Sequence, residues 1–229
     1  MYFKHSSGLA RFSAPVNRRH FSSALVLGAG ALVTGLPAMT WAATVGQNAP
    51  DFSAVDTAGK TRRLSEFRGK LVVLEWTNPG CPFVQKHYSA TGNSNSGGNM
   101  QALQKEFTGK GVVWLALNST ETGSGDYLAP ARLASWMADN QAHPSATLMD
   151  ESGQIGQLYG AKTTPHLYII SPQGQLVYAG GIDSIPSARV ADIKQATNYV
   201  RQGLNEALGG KPLSVASSRP YGCSVKYKA

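Results

Sequence analysis

The stretch Leu71-Val-Val-Leu-Glu-Trp76 runs directly into Thr77-Asn-Pro-Gly-Cys-Pro-Phe-Val84, and this junction decides the fold. Five of the first six residues are apolar, a composition that suits a strand buried on both faces. Asn78-Pro79-Gly80 breaks the strand. Pro82 then stands in the first turn of a helix that opens at Cys81, the one helical position where a missing N–H costs nothing. A cysteine at such a junction faces unpaired N–H groups and the positive end of the helix dipole. Thiolates are stabilised there, so Cys81 is read as a reactive thiol rather than an inert core cysteine. Pro82 has no N–H, which leaves Phe83 and Val84 as the backbone donors to its sulfur. Thr77 and Asn78 are the polar side chains placed to assist.

Working outward, the same rhythm of strand and helix recurs. Val112-Val-Trp-Leu-Ala-Leu117 reads as a second buried strand, Ala146-Thr-Leu-Met149 as a short one, and Leu167-Tyr-Ile-Ile170 as another. The turn Pro172-Gln-Gly-Gln175 leads into Leu176-Val-Tyr178, which predicts a hairpin. Helices are predicted from Cys81 to Tyr88, through Met100, Leu103 and Phe107, through Leu133, Trp136 and Met137, and from Gln154 to Tyr159. Val190, Ile193, Ala196, Val200, Leu204 and Leu208 recur at helical spacing and predict one helix of nearly 20 residues, stopped by Gly209-Gly210. Residues 44–69 read as irregular, with a turn at Asp56-Thr-Ala-Gly59. Trp76, Trp114 and Trp136 fit core or near-core positions. The alternation implies an α/β fold, a central sheet with helices on both faces.

The chain has 229 residues, 42% of them hydrophobic, with a formal net charge of +8 and two cysteines. That suffices for a core and excludes global disorder, a disulfide-dense scaffold and a multi-zinc protein. Lys4, Arg11, Arg18 and Arg19 precede the apolar run Ala24–Leu36, and the small residues around Ala42 follow. This is the pattern of an export signal, with cleavage expected after Ala42, and Asn17-Arg-Arg-His-Phe21 is twin-arginine-like. Residues 43–229 then form a single domain with a C-terminal arm at about 209–229. Without the four basic residues of the leader the charge is +4, with no Lys/Arg block, so no nucleic-acid partner is expected. The leader implies contact with export machinery and a periplasmic or secreted location, an oxidising compartment in which cysteine chemistry matters.

Val72–Trp76, Asn78-Pro-Gly-Cys-Pro-Phe-Val84 and Gly160-Ala-Lys-Thr-Thr-Pro-His166, in that order, resemble the thioredoxin fold. Ala49-Pro-Asp-Phe52 resembles the opening motif of the peroxiredoxin (alkyl hydroperoxide reductase/thiol-specific antioxidant) branch. Gly98-Asn-Met-Gln-Ala-Leu103, Gly180-Gly-Ile-Asp183 and Tyr221-Gly-Cys-Ser-Val-Lys-Tyr227 resemble secreted bacterial peroxiredoxin-like redoxins. The resemblance implies that Cys81 is the nucleophile and that Pro165, after Thr164, is a cis-proline facing it. It also implies a thiol oxidoreductase acting on a peroxide or disulfide and recycled by a thiol reductant, with no cofactor. Two positions depart from these families. Thioredoxins carry a second cysteine at the place of Val84, which rules out a Cys-x-x-Cys disulfide. Peroxiredoxins carry Thr or Ser at the place of Asn78 and Pro at that of Leu74.

Cys223 is the other cysteine. Paired with Cys81 it would serve either as the resolving thiol after oxidation of Cys81, or as a staple for the arm, closing a loop worth on the order of 5 kcal/mol in the chain-entropy model. A different class of function, a redoxin-fold copper carrier or binding protein, would use Cys81, His87 and His166 as soft-metal ligands. Read one by one, both histidines are expected to be polar surface residues. The insertion at 89–98 is either a gating loop or a surface excursion.

Overall fold

The computed structural model describes residues 42–89 and 98–228, which belong to one compact unit, Met39–Ala229. The export-signal reading, apart from Ala42, and most of the 89–98 insertion lie outside the described residues.

Seven strands form one mixed sheet: β1 (Ser53–Asp56), β2 (Thr61–Arg63), β3 (Val72–Trp76), β4 (Val113–Asn118), β5 (Ala146–Met149), β7 (His166–Ile170) and β8 (Leu176–Gly180). Their spatial order is β2-β1-β5-β4-β3-β7-β8. β3, β4 and β5 run parallel, β7 is antiparallel to β3, and β8 closes the predicted hairpin with β7. The short strands β6 (Thr163–Thr164) and β9 (Cys223–Ser224) pair separately.

Strand alternation divides the core into two layers. Val73, Trp114, Ala116, Leu167 and Ile169 face one side. There they meet α1 (Pro82–Tyr88), α2 (Asn99–Thr108), α3 (Pro130–Asp139) and α5 (Tyr199–Leu208), through Val84, Leu103, Phe107, Leu133 and Leu204. Val72, Leu74, Trp76, Leu115, Leu117 and Tyr168 face the other side, covered by Ile155 and Tyr159 of α4 (Gln154–Tyr159) and by Phe52 and Leu64. The sheet is thus covered on both faces, as the alternation predicts. Trp76 and Trp114 are fully buried, while Trp136 packs at the margin.

Glu75, the polar interruption of β3, points into the first layer and is fully buried. Tyr88 Oη and Trp114 Nε1 donate to its carboxylate at 2.7 Å each, and Gln104 Nε2 donates at 3.0 Å. Burial still holds its carboxyl above the usual range. Its three donors tie α1, α2 and β4 to the strand that leads into Cys81.

Two expectations are corrected. The 44–69 segment contains the β1–β2 hairpin and a 3-10 turn, Leu64–Phe67. The hairpin turn between β1 and β2 is held by Asp56 Oδ1, which accepts from the N–H groups of Ala58 and Lys60. The long helix predicted through 190–208 is instead a 3-10 turn, Val190–Lys194, followed by the separate helix α5. Asn198 is the reason. Its side chain accepts from Arg201 N at 2.9 Å, making it the N-cap of a new helix.

Candidate active site around Cys81

Cys81 is the residue before α1, as its proline-led sequence predicts, and is 2% exposed. The turn ahead of it is built by Asn78. Its side-chain oxygen accepts from Gly80 N at 2.8 Å, its backbone oxygen accepts from Cys81 N at 3.0 Å, and its amide donates to Thr120 Oγ1 at 3.3 Å. Asn78 therefore shapes the loop rather than facing the sulfur. Thr77 N donates to Leu117 O at 2.9 Å, and its hydroxyl has no hydrogen-bond partner among the described residues.

The sulfur does not cap the helix. Val84 N donates to Cys81 O at 2.9 Å, and no first-turn N–H, that of Phe83 included, is bound by Cys81 Sγ. The thiol instead donates to Thr164 O at 3.0 Å. This differs from the expected backbone donors, and the reason is tertiary. The Thr164-Pro165 peptide is cis, and the Thr164 carbonyl lies across from the helix start. Thr164 is buried, and its hydroxyl too lacks a partner among the described residues.

Thr164 also pairs with Cys223 in the β6–β9 ladder, so one residue contacts both cysteines. Cys223 packs against the core cluster that contains Cys81, and both are free thiols. Burial, followed by a hydrogen bond to Cys81 and the Cys81 charge, pushes the Cys223 thiol up to about 12. Lys226 opposes this rise and Asp126 adds to it. Cys223 therefore holds its proton near neutral pH. Gly222, at φ +138°, makes the approach: a Cβ there would fall on the Thr164 carbonyl oxygen.

Both histidines are buried, which corrects their reading as surface residues. Burial lowers each to about 4 and keeps it neutral near pH 7. His166 shares a sheet face with Tyr168, whose ring lies 4.5 Å away, and its Nδ1 is engaged by Tyr168 Oη and Lys162 N. His87 lies on α1, across the sheet, against Tyr221 and Asn99. The Cys81/His87/His166 ligand set is not assembled, because the sheet separates the two rings. Among the described residues no group of three or more His, Cys, Asp or Glu side chains is placed to hold a metal ion.

A group that sequence reasoning missed lies behind the site. Lys86, whose side chain is fully buried, donates to Asp183 Oδ2 at 3.4 Å, and Tyr221 Oη donates to Asp183 Oδ1 at 2.5 Å. Gly180–Asp183 and Tyr221–Tyr227 stand out as sequence motifs, but nothing local tells that they meet. Lys86 in particular gives no sign of burial when read alone.

A buried cysteine at a strand-to-helix junction, faced by a cis-proline loop on a mixed sheet, defines a thioredoxin-fold redoxin. A family model described as the AhpC/TSA family matches residues 45–179, and the chain belongs to that family. No curated protein matches the chain. Among solved structures it is similar to a hypothetical protein from Sinorhizobium meliloti, with 23% identity, TM-score 0.66 and coverage of 81% of this chain and 96% of that one. An uncharacterized conserved protein from Geobacillus kaustophilus gives 24%, 0.64, 81% and 93%. A putative thiol:disulfide interchange protein, DsbE, from Chlorobium tepidum gives 24%, 0.52, 73% and 100%. At these identities the likenesses describe the fold.

Proposed function

We propose that this redoxin is a thiol oxidoreductase with Cys81 as nucleophile and Cys223 as resolving thiol. The observation that carries the reading is the position of Cys223. The C-terminal arm brings it to Thr164, the residue whose carbonyl already holds the Cys81 thiol. Two free thiols so placed, from residues distant in sequence, suit a reversible dithiol/disulfide couple.

The preferred oxidant is a small hydroperoxide, since Cys81 is 2% exposed and a protein disulfide reaches it only if the arm lifts. The Cys81 thiolate attacks one peroxide oxygen, the O–O bond breaks, and the departing alkoxide or hydroxide takes up a proton as alcohol or water. Cys81 is left as sulfenic acid. The Cys223 sulfur then attacks Cys81 Sγ, the S–O bond breaks, and water leaves with the Cys223 proton. An external thiol reductant returns the disulfide to two thiols by two exchanges. The basic and apolar leader of residues 1–42 supports work in an exported, oxidising location, where such a reductant has to be supplied.

Peptide mass mapping after one equivalent of hydrogen peroxide tests the reading. Wild type should form a Cys81–Cys223 bridge faster than a denatured control, and Cys81→Ser should abolish peroxide turnover. Cys223→Ser should stop at a sulfenic acid trapped by dimedone. Turnover that survives in Cys81→Ser would overturn the proposal.

A further inference from the structure

Tyr221 lies two residues before Cys223 and is 8% exposed. Its hydroxyl is the hub of a closed polar cluster. It donates to Asp183 Oδ1 at 2.5 Å, lies 3.3 Å from His87 Nε2, and accepts from Lys86 Nζ at 3.5 Å. Lys86 also donates to Ile185 O, and Asp183 Oδ1 accepts from Ile185 N. Asn99 Nδ2 lies 3.0 Å from His87 Nδ1. With Asn99 donating to Nδ1, the neutral ring carries its proton on Nε2 and donates to the Tyr221 oxygen. The donors then run in one sense from Asn99 to His87, Tyr221 and Asp183. The Tyr221 ring is gripped as well, edge-on to Phe83 at 5.9 Å and beneath Lys86 Nζ at 5.5 Å.

Lys86 and His87 sit on α1, the helix that opens at Cys81, and Phe83 is on its first turn. One short helix therefore holds the nucleophile at its start and grips the arm along its length. From Tyr221 to Cys223 the chain spans only about 7 Å even when extended, and Gly222 is fixed against Thr164. The network does not touch the reacting sulfurs as far as its hydrogen bonds run, so its part is positional.

We propose that Tyr221 is a positioning residue: its clasp on Asp183, Lys86 and His87 sets the effective concentration of Cys223 at Cys81. This rests on the two-cysteine reading above. Losing the hydroxyl removes a buried bond to a carboxylate, so the arm should dwell less in the closed arrangement by about tenfold or more.

The test is equilibration of the full chain in glutathione redox buffers, which gives the effective concentration of the Cys81–Cys223 pair without any peroxide. A dimedone trap after one equivalent of hydrogen peroxide complements it. Tyr221→Phe keeps the ring and should lower the effective concentration about tenfold or more. It should raise the fraction of sulfenic acid that dimedone traps. Ser218→Ala is the control for general loosening of the arm, since Ser218 bonds Gly181 N and Tyr178 instead. It should leave the effective concentration near wild type. An unchanged value in Tyr221→Phe, or an equal fall in Ser218→Ala, would overturn the clasp. Failure of the bridge to form in wild type at any buffer composition would remove the two-cysteine reading itself.

Discussion

At the scale of single residues, burial decides protonation more than neighbouring charge does. His87 and His166 are both lowered to about 4 by desolvation, with Asp183 opposing the shift at His87 and Lys162 adding to it at His166. The unfolded chain, whose histidines titrate near their ordinary value, binds more protons than the folded chain as the pH falls through about 6.5 toward 4. Stability is therefore present above that window and lost on acidification, by on the order of 3 kcal/mol per ring. The melting temperature should fall between pH 7 and pH 4, and His166→Gln should flatten that fall. A profile equally steep in the variant would show that other groups carry it. Glu75 adds to neither ring's effect: burial raises its carboxyl, so its own contribution is lost as the pH rises.

At the scale of elements, the sheet strands were largely legible and the helix ends were less so. Val72–Trp76, Val113–Asn118 and His166–Ile170 are buried on both faces, and continuous apolar runs announce such strands. β2 is a three-residue edge strand, and β1 beside it exposes Val55 while burying Asp56, so its apolar pattern does not announce a strand. The break before α5 hides behind an unbroken helical period, because Ile193 and Ala196 keep the spacing even though the backbone does not. Asn198 carries the correction. Removing its cap in Asn198→Ala should cost about 1 kcal/mol, seen as an earlier denaturant midpoint with the slope unchanged. No shift would mean that the packing of Val200 and Leu204 alone holds the helix.

At the scale of the whole domain, the C-terminal arm is a strap laid across the candidate site. It meets β8 through the Ala179–Ser217 bridge, anchors Tyr221 beside α1, pairs Cys223 with Thr164, and sends Tyr227 Oη to Ala161 O at 2.8 Å. Ending the chain after Arg219 removes the Tyr221 anchor and uncovers the β6 edge. Such a protein should keep its sheet core and lose on the order of a few kcal/mol of stability, in line with removing a buried aromatic anchor. Its Cys81 should react faster with a bulky aromatic disulfide, since the covering strand is gone. An unaltered reaction rate would show that something other than the arm buries the sulfur.

The chain's own order of residues determined the alternation of strands and helices, the cysteine at the head of α1 and the proline after Thr164. Each is local, set by periodicity or by the backbone limits of proline and glycine. Tertiary structure alone decided the environment of those residues. It turned Cys81 Sγ to the Thr164 carbonyl instead of the helix N–H groups, put His87 and His166 on opposite sides of the sheet, and joined Lys86, Asp183 and Tyr221 in a buried cluster. Cys81 and Thr164, Lys86 and Asp183, and Lys86 and Tyr221 are 83, 97 and 135 positions apart in the chain. Periodicity reports which way a side chain points relative to its own element, while its partner depends on how distant elements dock, a property no local pattern contains.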